Sequence, residues 1–226
     1  MSASSSGPVI HVVAGAVMDA EGRVLIAQRP AGKHMAGGWE FPGGKLEPGE
    51  ERLAGLAREL REELGISIID IPRPLIRVRH AYPSREVLLD IWVVKHYSGE
   101  ARGLDGQALR WCTQDELEAA ELLPADRPIV RALRLPERLR QRTSRYYCVG
   151  GVADADNAPR LRGVICVSAE EGSAAARGGA DFLVMREALA DEELKALCEM
   201  VSVPVYATGV ALEKVWEMGA SGVSEI

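Results

Sequence analysis

The stretch from Gly44 to Ile66, GKLEPGEERLAGLARELREELGI, limits what this chain can fold into more than any other. Pro48-Gly49-Glu50 reads as a turn followed by a helix start, with acids expected in the first turn, where the macrodipole favours them. From Glu51 to Leu64 most residues are strong helix formers, and Gly65 supplies the stop. Leu53, Leu56, Leu60 and Leu64 recur at three- and four-residue steps, which predicts one buried stripe. At about 100° per residue, Glu59, Glu62 and Glu63 fall together on the opposite side. Like charges so placed repel, and a cation is expected to offset them. The plain reading of such a run is a solvated acidic face with Arg58 and Arg61 interleaved. A Gly43-Gly44 pair before it and Glu50 at its start favour a metal platform instead. Ligands that are all oxygen, held on a rigid helix, suit a hard ion such as Mg²⁺ or Mn²⁺ rather than zinc.

The flanks predict a mixed α/β unit. Val9 to Met18 is β-branched and apolar, Asp19 to Gly22 is a turn, and Arg23 to Arg29 returns as a second strand. A polar, glycine-bearing loop from Pro30 to Gly38 follows, expected to be mobile, and Trp39 to Gly44 leads into the helix. Beyond Ile66, strands are expected at Leu75–His80 and Val87–Tyr97, joined by a turn at Tyr82–Arg85. A short strand at Gln107–Cys112 precedes a helix start at Thr113, and Pro128–Leu135 is expected as a closing helix. Strands, a helix bearing the chemistry, more strands and a helix fit a layered sandwich.

The rhythm changes after Leu135. Residues 136–145, PERLRQRTSR, are rich in arginine and read as a linker or a frayed helix. From Tyr146 short apolar strands appear at YYCV, GVICVS, DFLVM, VPVYA and GVSEI, and helical stretches separate the last four. That βα alternation predicts parallel strands with right-handed crossovers. Residues 1–8 read as a disordered lead without a signal pattern.

A net charge of −6 argues against polymeric nucleic acid, whose binding needs a basic footprint. A single nucleotide differs, because metal ions can neutralise its phosphates. Four scattered cysteines without metal-ligand spacing point to reduced thiols, and hence to the cytoplasm. No run is long and apolar enough to span a membrane.

Position for position, Gly44 to Ile66 resembles the signature of the Nudix hydrolase family. The stretch AQRPAGKHMAGGWEFPGGKLEPGE resembles the MutT-type 8-oxo-dGTP diphosphatases of that family, and the likeness runs over residues 9–135. The resemblance implies an α/β/α sandwich and hydrolysis at the β phosphorus, releasing a nucleoside monophosphate and pyrophosphate. It implies metal ligation by Glu59, Glu62, Glu63 and the Gly43 carbonyl, with Glu50 and Arg58 orienting the carboxylates and Lys45 on the phosphate side. Arg29, His34 and Phe41 match nucleotide-pocket positions, and Asp126 matches the position that reads the purine edge. A carboxylate acceptor there would favour 8-oxoguanine, which carries a proton on N7 where guanine has a lone pair. Phe41 as plain core and Asp126 as a helix cap are the structural alternatives. The segment Gly103-Leu104-Asp105-Gly106-Gln107 offers Asp105, where relatives often carry a metal-side glutamate one methylene longer.

The tail, residues 146–226, resembles the later strands of thiamine phosphate synthase, a (β/α)₈ barrel. About 80 residues are too few for a barrel of roughly 250. A small open parallel βα unit without synthase activity is therefore expected, its sheet edges packed on the first domain or paired with another copy. Two other functions stay open at this point. One is a Nudix enzyme acting on a thiamine-related pyrophosphate, and the other is a non-catalytic nucleotide sensor.

Overall fold

The computed structural model of the protein describes residues 9–33, 35–83, 85–139, 146–149 and 161–225. The expected lead 1–8, His34, and residues 140–145 of the expected linker lie outside the described residues. In chain order the elements begin with β1 (Val9–Val17), β2 (Val24–Gln28), β3 (Trp39–Glu40), β4 (Gly43–Lys45) and α1 (Arg52–Leu64). Then come β5 (Ser67–Ile68), β6 (Arg73–Tyr82), β7 (Arg85–Val94), β8 (Tyr97–Ser98), β9 (Leu109–Cys112), α2 (Gln114–Ala119) and α3 (Arg127–Ala132). The remainder is β10 (Arg138–Leu139), β11 (Tyr146–Val149), β12 (Leu161–Cys166), α4 (Ala169–Arg177), β13 (Phe182–Met185), α5 (Asp191–Met200), β14 (Val205–Thr208), α6 (Leu212–Glu217) and β15 (Gly222–Ser224). Two compact units result, one running to Arg73 and from Val78 to Val130, the other taking Pro74–Arg77 and the chain from Arg131 onward. No described helix is long and apolar enough to cross a membrane.

The first unit is built on a four-stranded sheet in the order β4-β1-β7-β6. β1 and β7 run parallel from Val9↔Glu86 to Val17↔Val94, and β4 lies antiparallel to β1, with Ala14 opposite Gly43. A second sheet, β3-β2-β9, is antiparallel throughout. Alternation along β1 sorts its side chains between two faces. Val13 and Val17 pack against Leu56, Leu60 and Leu64 of α1, all fully buried, whereas Ile10, Val12 and Ala14 line a cleft. The leucine stripe therefore anchors α1, as its spacing predicts, and leaves the acidic side free for chemistry.

α1 starts later than the sequence suggests. Glu51 is the N-cap residue without a side-chain cap bond, and the first turn carries no acid. Glu50 instead turns back to Arg58, because an ion pair with a guanidinium outweighs a partial dipole charge. Gly65 ends the helix in the left-handed conformation, its N–H donating to the Arg61 carbonyl and the Ile66 N–H to the Leu60 carbonyl. At α2 the local sequence suffices, since Thr113 and Glu116 form a capping box.

The second unit is a curled, all-parallel sheet in the order β10-β15-β14-β13-β12-β11. One face packs on its helices through Leu183, Leu194, Leu197 and Val215. The other is filled by Leu135, Leu139, Leu161, Phe182, Val184 and Tyr206. Gly163 leaves room for the Phe182 ring, which would lie 2.3 Å from a Cβ at that position. Five strands are legible in the tail sequence, and β10 makes a sixth. Arg138 and Leu139, inside the expected linker, pair with Val223 and Ser224 of β15. A two-residue strand has no periodicity to read, and only its long-range partner defines it.

Candidate active site

The site forms where α1 passes the edge strand β4. Gly43 has φ 151°, a conformation that favours glycine, and an added Cβ would fall 2.1 Å from the Val13 carbonyl. At Gly44 a Cβ would fall 2.4 Å from the Glu59 carboxyl carbon. Two glycines in succession thus let carboxylates of α1 rest directly against bare backbone. The Gly43 N–H donates to Glu63 Oε2 at 3.2 Å.

Arg58 is the cation that the acidic helix face requires. Its Nη1 donates to Glu59 Oε1 at 2.9 Å and to Glu62 Oε2 at 3.2 Å. Its Nε and Nη2 grip both oxygens of Glu50, and Nη2 also donates to the Lys45 carbonyl at 3.1 Å. The hydrogen bonds from Arg58, helped by the Glu47 N–H, hold the Glu50 carboxyl down to about 2. Pairing with Glu50 and Glu59 raises the Arg58 guanidinium further above its ordinary range.

Glu63 behaves differently. Burial pushes its carboxyl up to about 7 against the pull of the Gly43 N–H, and the charges of Glu59 and Glu40 push the same way. The charge of Lys33 pulls with the Gly43 N–H, but its influence is the smallest.

A cleft of about 550 Å³ opens from this point. Glu59, Glu63, Gly43, Gly44 and Lys45 line it, together with Arg29, Phe41 and Asp126. Asp126 is 4 % exposed, and its Oδ1 accepts from the Phe41 N–H at 3.3 Å. Burial pushes the Asp126 carboxyl up to about 8, the Phe41 N–H and Arg29 opposing and Glu40 adding to the rise. The expected ionised acceptor is therefore a neutral acid at pH 7, able to donate and accept at once. Phe41, 3 % exposed, is both core and cleft wall.

Asp105 is half exposed at 54 %, does not line the cleft, and stands 4.0 Å from Lys33 Nζ. Its loop is nevertheless tied to the end of α1, since Gln107 Nε2 and the Leu104 N–H both donate to the Glu63 carbonyl. Glu62 is exposed and meets only the rim through Arg58. His34 lies outside the described residues.

Sequence reading missed several cleft residues. Glu40 pairs with Arg29 and is held above the usual carboxylate range by burial. Its place beside Phe41 and the glycine pair is the one local hint. Tyr82 and Arg85, at the ends of β6 and β7, read only as turn residues, and Lys33, Met35 and Leu123 carry no motif.

The NUDIX domain family matches residues 13–132. The CTP pyrophosphohydrolase of Escherichia coli K12 is 40% identical over 124 residues, 55% of this chain and 90% of the relative. The 8-oxo-dGTP diphosphatase of the same organism is 32% identical over 128 residues, 55% of this chain and 96% of the relative. The chain belongs to the NUDIX family. It is a NUDIX hydrolase, and the fold agrees. The solution structure of the E. coli ORF135 protein superposes with a TM-score of 0.51 at 38% identity, covering 58% of this chain and 92% of that one.

NUDIX hydrolases in general need a divalent metal, and the residues here fit one. The donors are all oxygen, the glycine pair exposes backbone beside Glu59 and Glu63, and the buried Glu63 carboxyl sits among the charges of Glu59 and Glu40, with Lys33 opposing them only weakly. Among the described residues no three acid, His or Cys side chains converge into a ready cage. Arg58 Nη1 stands between Glu59 and Glu62, in the position a metal would contest.

Proposed function

We propose that this protein is a Mg²⁺-dependent nucleoside triphosphate diphosphatase that hydrolyses 8-oxo-dGTP to 8-oxo-dGMP and pyrophosphate, removing an oxidised precursor from the nucleotide pool. The observation that carries the reading is one cleft with carboxylates at its glycine-lined end and a buried neutral acid, Asp126, in its wall. Glu59, Glu62, Glu63 and the Gly43 carbonyl would hold the ion, and Asp105 would approach it from the rim. When bound, a divalent ion neutralises phosphate oxygens and makes water nucleophilic near neutral pH. Glu50 fixes Arg58, and Arg58 aligns Glu59 and Glu62. Glu63, held at the glycine-lined end of the cleft by the Gly43 N–H, is placed to take a proton from the attacking water. Lys45 and Lys33 meet the phosphates, and Arg29, held by Glu40, flanks the nucleoside.

At the base, a neutral Asp126 carboxyl accepts from N7–H of 8-oxoguanine and donates to O6. Guanine presents two acceptors on that edge, so the Asp126 carbonyl oxygen would face a lone pair. Cytosine offers the same order of acceptor and donor through N3 and the N4 amino group. That match, together with the relative named a CTP pyrophosphohydrolase, supports CTP as the second reading. The free, buried thiols of Cys112, Cys166 and Cys198 are in keeping with a reducing cytoplasm.

The test is hydrolysis of 8-oxo-dGTP, dGTP, CTP and dCTP at low concentration with Mg²⁺, identifying the products. Preferred release of pyrophosphate from 8-oxo-dGTP is expected. Preference for a cytosine nucleotide would shift the assignment to the second reading, and cleavage of none would end both.

A further inference from the structure

Met35 is the only described residue other than glycine with a positive φ, at 59°. A side chain in the left-handed region is disfavoured, and such residues persist where the surroundings hold them for a purpose. Here the Gly38 N–H donates to the Met35 carbonyl at 3.2 Å, and the Gly37 N–H returns to the Arg29 carbonyl at 3.0 Å. Gly38 in turn leaves room for Leu123, whose Cδ2 would lie 2.6 Å from a Cβ there. Met35 is thus fixed beside Leu123, three residues from Asp126, and both Met35 and Leu123 line the cleft. Met35 is also 37% exposed, a large apolar side chain kept at an open wall rather than folded into the core. Two positions earlier, Lys33, which lines the same cleft, stands 4.0 Å from Asp105 and acts on the charge of Glu63.

We infer that Met35 is a specificity-determining residue whose thioether covers the face of the substrate base while Asp126 reads its edge. This rests on the nucleotide reading of the cleft given above. An unbranched, polarizable thioether suits a flat heteroaromatic ring, and its freedom of rotation lets it follow rings of different size. A side chain that only filled space had no need of a strained backbone, because glycine or asparagine would take that conformation more easily.

The experiment compares the full-length protein with Met35→Gly and Met35→Asn, which both tolerate a positive φ. The dissociation constant of 8-oxo-dGMP is measured by calorimetry without added metal, and steady-state kinetics with 8-oxo-dGTP follow. Met35→Gly is expected to weaken 8-oxo-dGMP by about three- to ten-fold and to raise KM similarly, with kcat within about two-fold. Inhibition by inorganic pyrophosphate, which has no base, stays unchanged, and the melting temperature holds or rises as the backbone relaxes. Unchanged affinity for 8-oxo-dGMP in both variants overturns the inference. Equal losses for 8-oxo-dGMP and pyrophosphate overturn it too, since Met35 would then act only through the loop. Failure of the unmodified protein to bind 8-oxo-dGMP at all removes the oxidised-guanine reading and, with it, this inference.

Discussion

Arg58 and Glu50 meet as a two-pronged ion pair, Nε to Oε1 at 2.8 Å and Nη2 to Oε2 at 2.9 Å. The remaining nitrogen, Nη1, spans Glu59 and Glu62. Only a planar fork can make these bonds together, so Arg58→Lys should lower turnover by about ten- to a hundred-fold while the fold persists. The pair also has a pH consequence. Glu50 is held down to about 2, so its contribution is complete above the ordinary carboxylate range and is lost as pH falls toward 2. Arg58→Lys should therefore raise the pH of acid unfolding, which circular dichroism during acid titration measures.

Glu62→Gln and Leu60→Ala separate chemistry from stability on one helix. Glu62 is 61% exposed and touches no core residue, so its amide variant should keep the melting temperature and lose turnover by roughly a hundred-fold or more. Leu60 is fully buried against Gly15 and the sheet, and truncation should cost about 2–5 kcal/mol. Near-normal turnover of Glu62→Gln at saturating Mg²⁺ would remove Glu62 from the ligand set.

Gly44→Ala tests how closely Glu59 must approach the backbone. The added methyl would fall 2.4 Å from the Glu59 carboxyl carbon, so that side chain must swing away. Turnover should drop by about ten-fold or more, with a higher Mg²⁺ concentration needed for half-maximal rate. Metal titrations of the rate for both proteins decide the matter, and an unchanged midpoint speaks against ligation by Glu59.

Asp126 should make recognition pH-dependent. Its folded pKa is raised to about 8, so the neutral form persists through pH 7 and is lost as pH rises past 8. The affinity for 8-oxo-dGMP should fall more steeply from pH 7 to 9 in the unmodified protein than in Asp126→Asn, whose amide keeps one donor and one acceptor. Stability follows the same sign, because a raised carboxyl costs folding free energy as pH climbs from the ordinary range to about 8. Asp126→Asn should accordingly melt higher near pH 8. Asp126→Ala should narrow the 8-oxo-dGTP to dGTP selectivity by about ten- to a hundred-fold. Equal loss for both nucleotides would leave Asp126 a purely structural role.

What the sequence determined by itself is local. Leu56, Leu60 and Leu64 mark the buried stripe of α1, Thr113 and Glu116 write their own capping box, and the βα alternation after Tyr146 announces a parallel sheet. In each case the spacing of a few residues sets which side is buried or which N–H is capped, and neighbours in sequence supply the partners. Tertiary structure decided what depends on partners far apart. Asp126 meets the Phe41 N–H across 85 residues, and only enclosure from all sides turns it into a neutral acid. Glu50 has a helix terminus close by, yet its choice of Arg58 emerges only once β4 lies beside α1. Arg138 and Leu139 become a strand only against β15, and the room that Gly38 leaves for Leu123 is visible only in the folded chain. Burial and long-range pairing are properties of the assembled chain, and no window of sequence contains them.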